Sequence, residues 1–337
     1  MRIPIPVAIL IGLSAVMMWN SSTTTQVADD NLESAFMGFI SEYGKVYTTK
    51  AEYEFRFGIY KKNVDWIAEE NTKGYTHTLA MNHFGDWTDA EFKKTLGMKN
   101  SERAVRTGPA PVVDFNGPDA FDWSTVGDGT AIHPVEDQGA CGSCWAFAAT
   151  GAYETLYWKH HDSTQLDFSE QQLVDCSRSY FNEGCNGGEL SYAYNYLHDH
   201  EFTLLPNYPY HAADETCVYD KISYRPGEEV ERFVEFNNTS NEGLKSMVMD
   251  NAVSVALEAQ NWKFYNEGIF DANVCGEDID HGVVVVGYDT TENFYRIKNS
   301  WSARWGEAGY MRLPITTDKK FTDGTCGILN RPSYPNF

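Results

Sequence analysis

The pattern of apolar and polar residues predicts helices in the first third of the chain. Between Asn31 and about Lys99 helix-forming residues dominate, and one set of positions recurs with spacings of 4, 4, 3, 4 and 4. At roughly 100° per residue these positions fall within about 100° of one helix face. They are Glu52, Arg56, Tyr60, Asn63, Ile67 and Asn71. A polar stripe of this kind is usually a solvated helix face, so alone it does not indicate a function.

Cap and turn signals divide the region that follows. Thr88, with Glu91 three residues later, is typical of a capping box, so a new helix is predicted to begin there. From Asn100 to Gly117 the periodicity disappears and glycine and proline recur. This stretch is predicted to be a linker that proteases can reach.

The apolar run at the N-terminus, residues 3–19, follows the basic residue Arg2. Two interpretations are open, an export signal over residues 1–20 and a membrane anchor. The run falls short of the roughly 20 apolar residues that span a bilayer and contains Pro4 and Pro6, which favours the signal. We therefore expect export into an oxidising compartment, with no membrane association after the signal is removed.

Two further segments indicate buried elements. A helical run extends from Cys144 towards His161, and Gly139 and Gly142 favour a tight loop before it, so Cys144 is predicted in the first turn of a helix. Residues 283–288 are almost continuously apolar and predict a buried strand. That strand would hold His281, which directly precedes it with Gly282, in a rigid position.

Composition and charge narrow the function classes. The 337 residues carry 26 basic and 48 acidic groups, a net charge of −22, and 42% are hydrophobic. These values predict a globular chain that does not bind nucleic acid. Residues 1–117 hold 12 basic and 14 acidic residues, which leaves 14 and 34 for residues 118–337. An almost neutral segment therefore precedes a strongly acidic one.

The seven cysteines all lie in the acidic part. An odd number in an exported chain leaves one thiol as an intermolecular link or a reactive group. Cys144 is the candidate, because the dipole and free N–H groups of a helix start lower a thiol pKa. Two other interpretations of Cys141 and Cys144 are a redox pair and two structural half-cystines.

A thiolate nucleophile needs a base, and the base needs an orienting partner. Among the nine histidines His281 is distinguished by its place at the start of the apolar strand. Asn299, 18 residues later, ends another predicted strand and is followed by Trp301 and Trp305. The two indoles could shield a hydrogen bond between His281 and Asn299 from water.

Taken in order, these features resemble the proenzyme of a papain-family cysteine protease of the cathepsin L type, over the chain from Glu52 to its end. The helix stripe is similar to the family's E-R-F-N-I-N motif with Tyr60 for phenylalanine. Residues 80–86 are similar to its G-N-F-D motif with Ala80 for glycine. Further matches are Cys144, His281, Asn299, Cys185-Asn186-Gly187-Gly188, Asn299-Ser300-Trp301, Cys326-Gly327-Ile328 and Ser333-Tyr334-Pro335.

The resemblance implies an α+β, papain-like two-lobed fold. A helical lobe would carry Cys144, and an antiparallel, barrel-like lobe would carry His281 and Asn299. The chain would be organised as a signal peptide (1–20), a helical inhibitory prosegment (21–99), an activation linker (100–117) and a mature peptidase domain (118–337).

The implied activity is that of a cysteine endopeptidase that needs no metal and no cofactor. Cys144 and His281 would form a thiolate–imidazolium pair, with Asn299 orienting the imidazole and Gln138 helping to hold the oxyanion. The thiolate would attack a peptide carbonyl, and water would hydrolyse the thioester. The prosegment would inhibit the enzyme until it is cleaved, with acidification as the proposed trigger.

The implied substrate-binding residues are Gly187, Gly188, Leu190, Ala256, Ile279, Asp280, Trp301 and Arg331.

Two positions depart from the family pattern. Ser302 stands where a glycine is common. Arg331 aligns with the floor of the pocket for the second residue before the cut, which is often small or apolar. If Arg331 points inward, an acidic substrate side chain could pair with it; if it points to solvent, the pocket stays apolar.

The resemblance also implies the disulfides Cys141–Cys185, Cys176–Cys217 and Cys275–Cys326, which leave Cys144 free. Two overlapping sequons make Asn237 and Asn238 candidate glycosylation sites. We expect a monomer in the secretory pathway, in a lysosome-like vacuole or secreted. Its partners would be protein and peptide substrates and its own prosegment, with cystatin-like inhibitors as a further class.

Three rival functions are considered. An exopeptidase is disfavoured, because the chain shows neither an inserted histidine-rich loop nor a prosegment cysteine. A non-catalytic, disulfide-stapled binding protein conflicts with the intact Cys144, His281, Asn299 and Gln138. Peptide ligation would use the same acyl-enzyme and is a narrower alternative.

Overall fold

The computed structural model describes residues 31–101, 108, 110–318 and 320–337. The predicted signal peptide and part of the predicted linker lie outside these ranges. The helices are residues 31–43 (α1), Lys50–Glu70 (α2), Asp89–Phe92 (α3), Cys144–His160 (α4), Glu170–Cys176 (α5), Leu190–Asp199 (α6) and Asn241–Asp250 (α7). The strands are His77–Leu79 (β1), Ala120–Asp122 (β2), Arg232–Glu235 (β3), Val253–Leu257 (β4), Tyr265–Gly268 (β5), His281–Asp289 (β6), Phe294–Lys298 (β7), Tyr310–Pro314 (β8) and Arg331–Asn336 (β9).

The described chain divides into two compact units. One comprises residues 31–66 with 85–87, and the other comprises residues 67–84 with 88–337. In the described part no helix is long and apolar enough to cross a bilayer.

In the first unit the polar stripe of α2 has a structural role. Arg56 Nη1 donates to the carbonyl of Asp86 at 2.9 Å, and Asn63 Nδ2 donates to that of Gly85 at 2.8 Å. The Asp86 carboxylate in turn accepts from Lys45 Nζ and Tyr47 Oη, both at 2.8 Å. The stripe therefore binds Gly85 and Asp86, and the interpretation as a solvated face is wrong.

The second unit contains a seven-stranded antiparallel sheet. Its order is β3-β9-β4-β6-β7-β8, with β2 also paired to β6. The order has two ends among the described strands, so the sheet does not close into a barrel. β1 and β5 form a separate antiparallel pair. Helices α4 and α6 and strand β6 supply much of the unit's buried core.

Helix α4 is buried over residues 144–158, as expected of a helix that is apolar on all sides. Its first residue lies against β6. A Cβ built at Gly282 would sit 3.3 Å from the carbonyl oxygen of Cys144, so the absence of a side chain at Gly282 permits this approach. The structure contains the disulfides Cys141–Cys185, Cys176–Cys217 and Cys275–Cys326, and Cys144 is free and buried.

Three carboxyls lie on or near α4 and interact with Lys298 or with one another. Glu154, in α4, and Glu170 are buried, and Glu136 is half-buried. Burial raises the pKa of Glu136 to about 7, although Lys298 opposes the shift. Burial also raises the pKa values of Glu154 and Glu170 well above their ordinary range. The folded protein therefore holds protons here that the unfolded chain releases near pH 4.5.

This difference predicts that the protein loses stability as the pH rises. The contribution of Glu136 is fully present below pH 4.5 and is lost as the pH rises through about 7, with a slope of up to about 1.4 kcal/mol per pH unit for one proton. We expect calorimetry on the Cys144→Ala proenzyme to give a higher Tm at pH 5 than at pH 8 for the unfolding transition of the second unit, which contains Glu136. Glu136→Gln should reduce this difference, whereas Glu231→Gln, at an exposed position, should not. Equal pH dependence in all three proteins would contradict the prediction.

Candidate active site

Cys144 is the first residue of α4, and its side chain is fully buried. The amide of Gly97 donates to its sulfur at 3.3 Å. Burial raises the pKa of the thiol to about 11, although hydrogen bonds from the Gly282 and Gly97 backbones lower it. The prediction of a thiol ionised by the helix start is therefore wrong for this covered state, because desolvation outweighs the helix N–H groups.

His281 begins β6 and is fully buried. Its Nε2 lies 2.8 Å from Asn299 Oδ1, and the Trp301 indole stacks on the imidazole at 4.6 Å. Burial lowers the pKa of His281 to about 4, with the Asn299 hydrogen bond opposing the shift. Its Nδ1 has no hydrogen-bond partner among the described residues. In this state the imidazole is neutral, so thiol and base are both uncharged.

The loop after β7 contains the two tryptophans that cover His281 and Asn299. Trp301 and Trp305 are both fully buried and pack perpendicular to each other at 5.1 Å. Ser302, between them, has φ 67°, the left-handed region that glycine adopts most readily. The serine therefore takes up the backbone conformation for which a glycine is suited at this position.

Gln138 is fully buried, and both ends of its side-chain amide are hydrogen-bonded. Its Nε2 donates to the carbonyls of Cys141 at 2.7 Å and Thr95 at 2.8 Å. Its Oε1 accepts from Ser300 Oγ at 2.7 Å. The Thr95 carbonyl thus accepts a hydrogen bond from Gln138 Nε2. The family resemblance implies that this N–H group would bind the oxyanion during catalysis.

Residues 95–101, here called the cleft segment, run past the sulfur, with Met98 in a parallel β-bridge to Gly188. Gly188 donates to the Gly97 carbonyl and accepts from the Lys99 amide, both at 2.9 Å. On the other side Met98 donates to the Asp280 carbonyl at 2.9 Å. A Cβ at Gly97 would lie 1.9 Å from the Gly142 carbonyl oxygen, so only glycine permits this close passage.

Aromatic side chains anchor the segment before it. Phe84 and Phe92 present their edges to Trp301 at 5.7 and 5.2 Å. Helix α3, which contains Phe92, begins with the predicted capping box between Thr88 and Glu91. The capping box that the sequence predicts therefore helps to position the Phe92 ring against Trp301, which stacks on His281.

The residues predicted to bind substrate differ in burial and in their contacts with the cleft segment. Leu190 and Ala256 are fully buried, whereas Ile279 is half-buried. Gly187 and Gly188 pass close to the cleft segment, since a Cβ at Gly187 would lie 2.5 Å from the Gly97 carbonyl oxygen. Asp280 uses its carbonyl for Met98 and its carboxylate for the Ala259 amide.

Arg331 points inward and is 2% exposed, so the solvent-facing interpretation is wrong. It forms ion pairs with Glu235 at 2.9 Å and with Glu189. Sequence reasoning missed both carboxylates. Glu189 directly follows the Cys185–Gly188 motif. An acidic residue next to a motif expected to line the cleft could have indicated an ion-pair partner for Arg331.

Comparison with known proteins agrees with this geometry. The family model of the papain family cysteine proteases matches residues 117–336, and that of the cathepsin propeptide inhibitor domain matches residues 36–92. The chain belongs to the papain family of cysteine proteases. It is a thiol hydrolase with a propeptide domain, and the cleft segment that follows this domain lies against the sulfur of Cys144.

Relatives and solved structures extend this likeness over most of the chain. "Thiol protease aleurain" of Arabidopsis thaliana is 36% identical over 89% of this chain and 83% of its own length. "Digestive cysteine proteinase 3" of Homarus americanus is 36% identical over 88% and 92%. A recombinant stem bromelain precursor (TM-score 0.79, 31% identity, 91% and 99% coverage) and digestive procathepsin L 3 of Tenebrio molitor (0.77, 32%, 91% and 99%) have similar folds.

The buried thiol predicts a large difference in reactivity between the proenzyme and the mature protease. A pKa of about 11 instead of 9 leaves about 100-fold less thiolate below pH 9, and the cleft segment also blocks access. We expect iodoacetamide to label Cys144 of the mature protease at pH 6 at least about 100-fold faster than that of the proenzyme.

The Gly97→Ala variant tests whether the cleft segment causes the slow labelling of the proenzyme. The added Cβ cannot fit against Gly142, so the cleft segment should shift and labelling of the proenzyme should accelerate at least about tenfold. Gly38→Ala is the matched control, because a Cβ there meets no atom within 4 Å. Slow labelling of the Gly97→Ala proenzyme would show that another part of the chain protects the sulfur.

Proposed function

We propose that the mature protein is a cysteine endopeptidase in which Cys144 is the nucleophile, His281 the base and Asn299 the group that orients it. The observation that carries the proposal is a peptide segment already lying across the site, with an amide on the sulfur and a carbonyl on Gln138. A substrate in its place would bring its own carbonyl to the same groups.

The chemistry depends on removal of the cleft segment. Once water reaches the site, desolvation no longer favours the neutral forms, and a proton can pass from Cys144 to His281. The thiolate then attacks the peptide carbonyl, and the Gln138 amide and the Cys144 N–H stabilise the oxyanion. His281 protonates the leaving amine, and water hydrolyses the thioester.

The substrate-binding residues divide by role. The backbones of Gly187, Gly188 and Asp280 would hold a substrate main chain, as they hold or closely approach the cleft segment here. Leu190, Ala256 and Ile279 would form an apolar wall, with Arg331 at the floor. Trp301 would cover the His281–Asn299 hydrogen bond.

We propose the same chain organisation as the sequence predicts, with a signal (1–20), a prosegment (21–99), a linker (100–117) and a mature enzyme (118–337). Activation would cut between Lys99 and Asp119. The enzyme would act as a monomer in a lysosome-like vacuole or after secretion, with cystatin-like inhibitors among its partners. A glycan suits Asn237, which is exposed, better than Asn238, whose Nδ2 donates to Asp323.

Acidification would release the prosegment through Asp86. This carboxylate is almost fully buried and holds both Lys45 and Tyr47. Loss of the Lys45–Asp86 ion pair would weaken the first unit. The ion pairs Lys99–Glu183 and Lys263–Asp89 would contribute less, since both carboxylates are more than half exposed.

A thiol-directed epoxide tests the nucleophile. We expect it to label Cys144 of the mature enzyme and to abolish peptide hydrolysis, and Cys144→Ala should lose both labelling and activity. Retention of activity in Cys144→Ala would contradict the mechanism, and an inert but folded wild-type protein would favour the binding-protein alternative. Analysis of products formed with an added amine distinguishes hydrolysis from ligation.

The rate of proenzyme maturation at different pH values tests whether acidification triggers the release of the prosegment. The purified proenzyme should mature faster at acidic than at neutral pH, and Asp86→Asn, which loses about 1–3 kcal/mol from a buried charged hydrogen bond, should mature several-fold faster at pH 7. Asp65→Asn, an exposed change in α2 of the same unit, should behave as wild type. Equal rates at both pH values in the wild type would exclude an acid trigger.

A further inference from the structure

Three buried charged side chains form a cluster at the floor of the cleft. Arg331, Glu189 and Glu235 are each at most 2% exposed. Arg331 Nε and Nη2 donate to Glu235 Oε1 at 3.3 and 2.9 Å, and Nη2 also donates to Glu189 Oε2. With both carboxyls ionised in their ion pairs with Arg331, the cluster carries a net charge of −1. Burial raises the pKa of Glu189, and Arg331 opposes this shift.

The cluster presents one donor and one acceptor to the cleft segment. Arg331 Nη1 donates to the Lys99 carbonyl at 2.8 Å. Glu189 Oε1, the oxygen that Arg331 leaves free, accepts from the Ser101 amide at 2.5 Å. In the proenzyme the cluster thus binds a C=O group and an N–H group, both from peptide amides.

Departure of the cleft segment removes both partners. A buried polar group without a partner is costly, so a ligand that replaces only one of them loses affinity. A primary carboxamide carries a carbonyl acceptor and an N–H donor on one carbon, and it can therefore satisfy Arg331 and Glu189 together.

Other side chains match the cluster less well. A carboxylate would accept from Arg331 but would turn its second oxygen towards Glu189 and add a charge to a cluster that is already negative. An ammonium group offers no acceptor to the guanidinium. An aliphatic side chain leaves both groups without a partner.

We propose that this cluster makes the mature enzyme select a primary carboxamide, Gln or Asn, in the substrate side chain that reaches it. The proposal rests on the peptidase function proposed above, with the side chain in question on the second residue before the cut. It replaces the expectation that an inward-pointing Arg331 would favour an acidic residue, because the two carboxylates Glu189 and Glu235 already outweigh the charge of the guanidinium.

Peptides that differ only at that second residue test the selection. We expect kcat/KM of the mature enzyme for Gln to exceed that for the isosteric Glu at least about tenfold and that for Leu and Lys several-fold. A Gln peptide cleaved no faster than the Glu peptide, or slower than the Leu peptide, overturns the proposal while leaving the peptidase function intact. Failure to cleave any peptide, together with no labelling of Cys144, contradicts the peptidase function itself.

Glu189→Gln assigns the effect to the cluster. The neutral side chain removes the repulsion towards a substrate carboxylate, so the Gln-to-Glu ratio should fall to within about threefold. Glu231→Gln, an exposed change outside the cluster, should keep the wild-type ratio. A wild-type ratio in Glu189→Gln overturns the assignment, and the wild-type peptide series decides the selection if that variant does not fold.

Discussion

The contact between the Gly97 amide and the Cys144 sulfur is the constraint around which the proenzyme is built. A main chain can pass this close to a nucleophile only where no side chain intervenes, and a Cβ at Gly97 would overlap the Gly142 carbonyl. The hydrogen bonds to Gly188, Asp280 and Gln138 then fix the segment on both sides of the sulfur. The aromatic contacts of Phe84 and Phe92 with Trp301 hold the chain that leads into it.

Inhibition in this arrangement has an electrostatic component as well as a steric one. The same burial raises the pKa of Cys144 and lowers that of His281, so the covered pair is neutral on both sides. The ion pair needed for attack would form only when water returns, since charges are stabilised far better by water than by an apolar interior. The prosegment therefore blocks access to the sulfur and also suppresses its ionisation.

The sequence predicted local features well. The capping box at Thr88, the start of α4 at Cys144 and the strand that begins with His281 are all present, because each depends on residues adjacent in the chain. The polar stripe of α2 was placed on one face correctly, but its partner was not foreseen. Arg56 and Asn63 bind the backbone carbonyls of Asp86 and Gly85, and such carbonyls carry no sequence signal.

By itself the sequence determined the family, the order of the propeptide and peptidase domains, and the identity of the candidate nucleophile, base and orienting amide. Motif spacing and local propensity carry that information. The tertiary structure decided the ionisation of Cys144 and the environment of Arg331. Desolvation depends on what covers a group, and the partners of Arg331 lie 96 and 142 residues away along the chain. No local pattern encodes such pairings, because they arise only when the folded chain brings distant charges into one buried site.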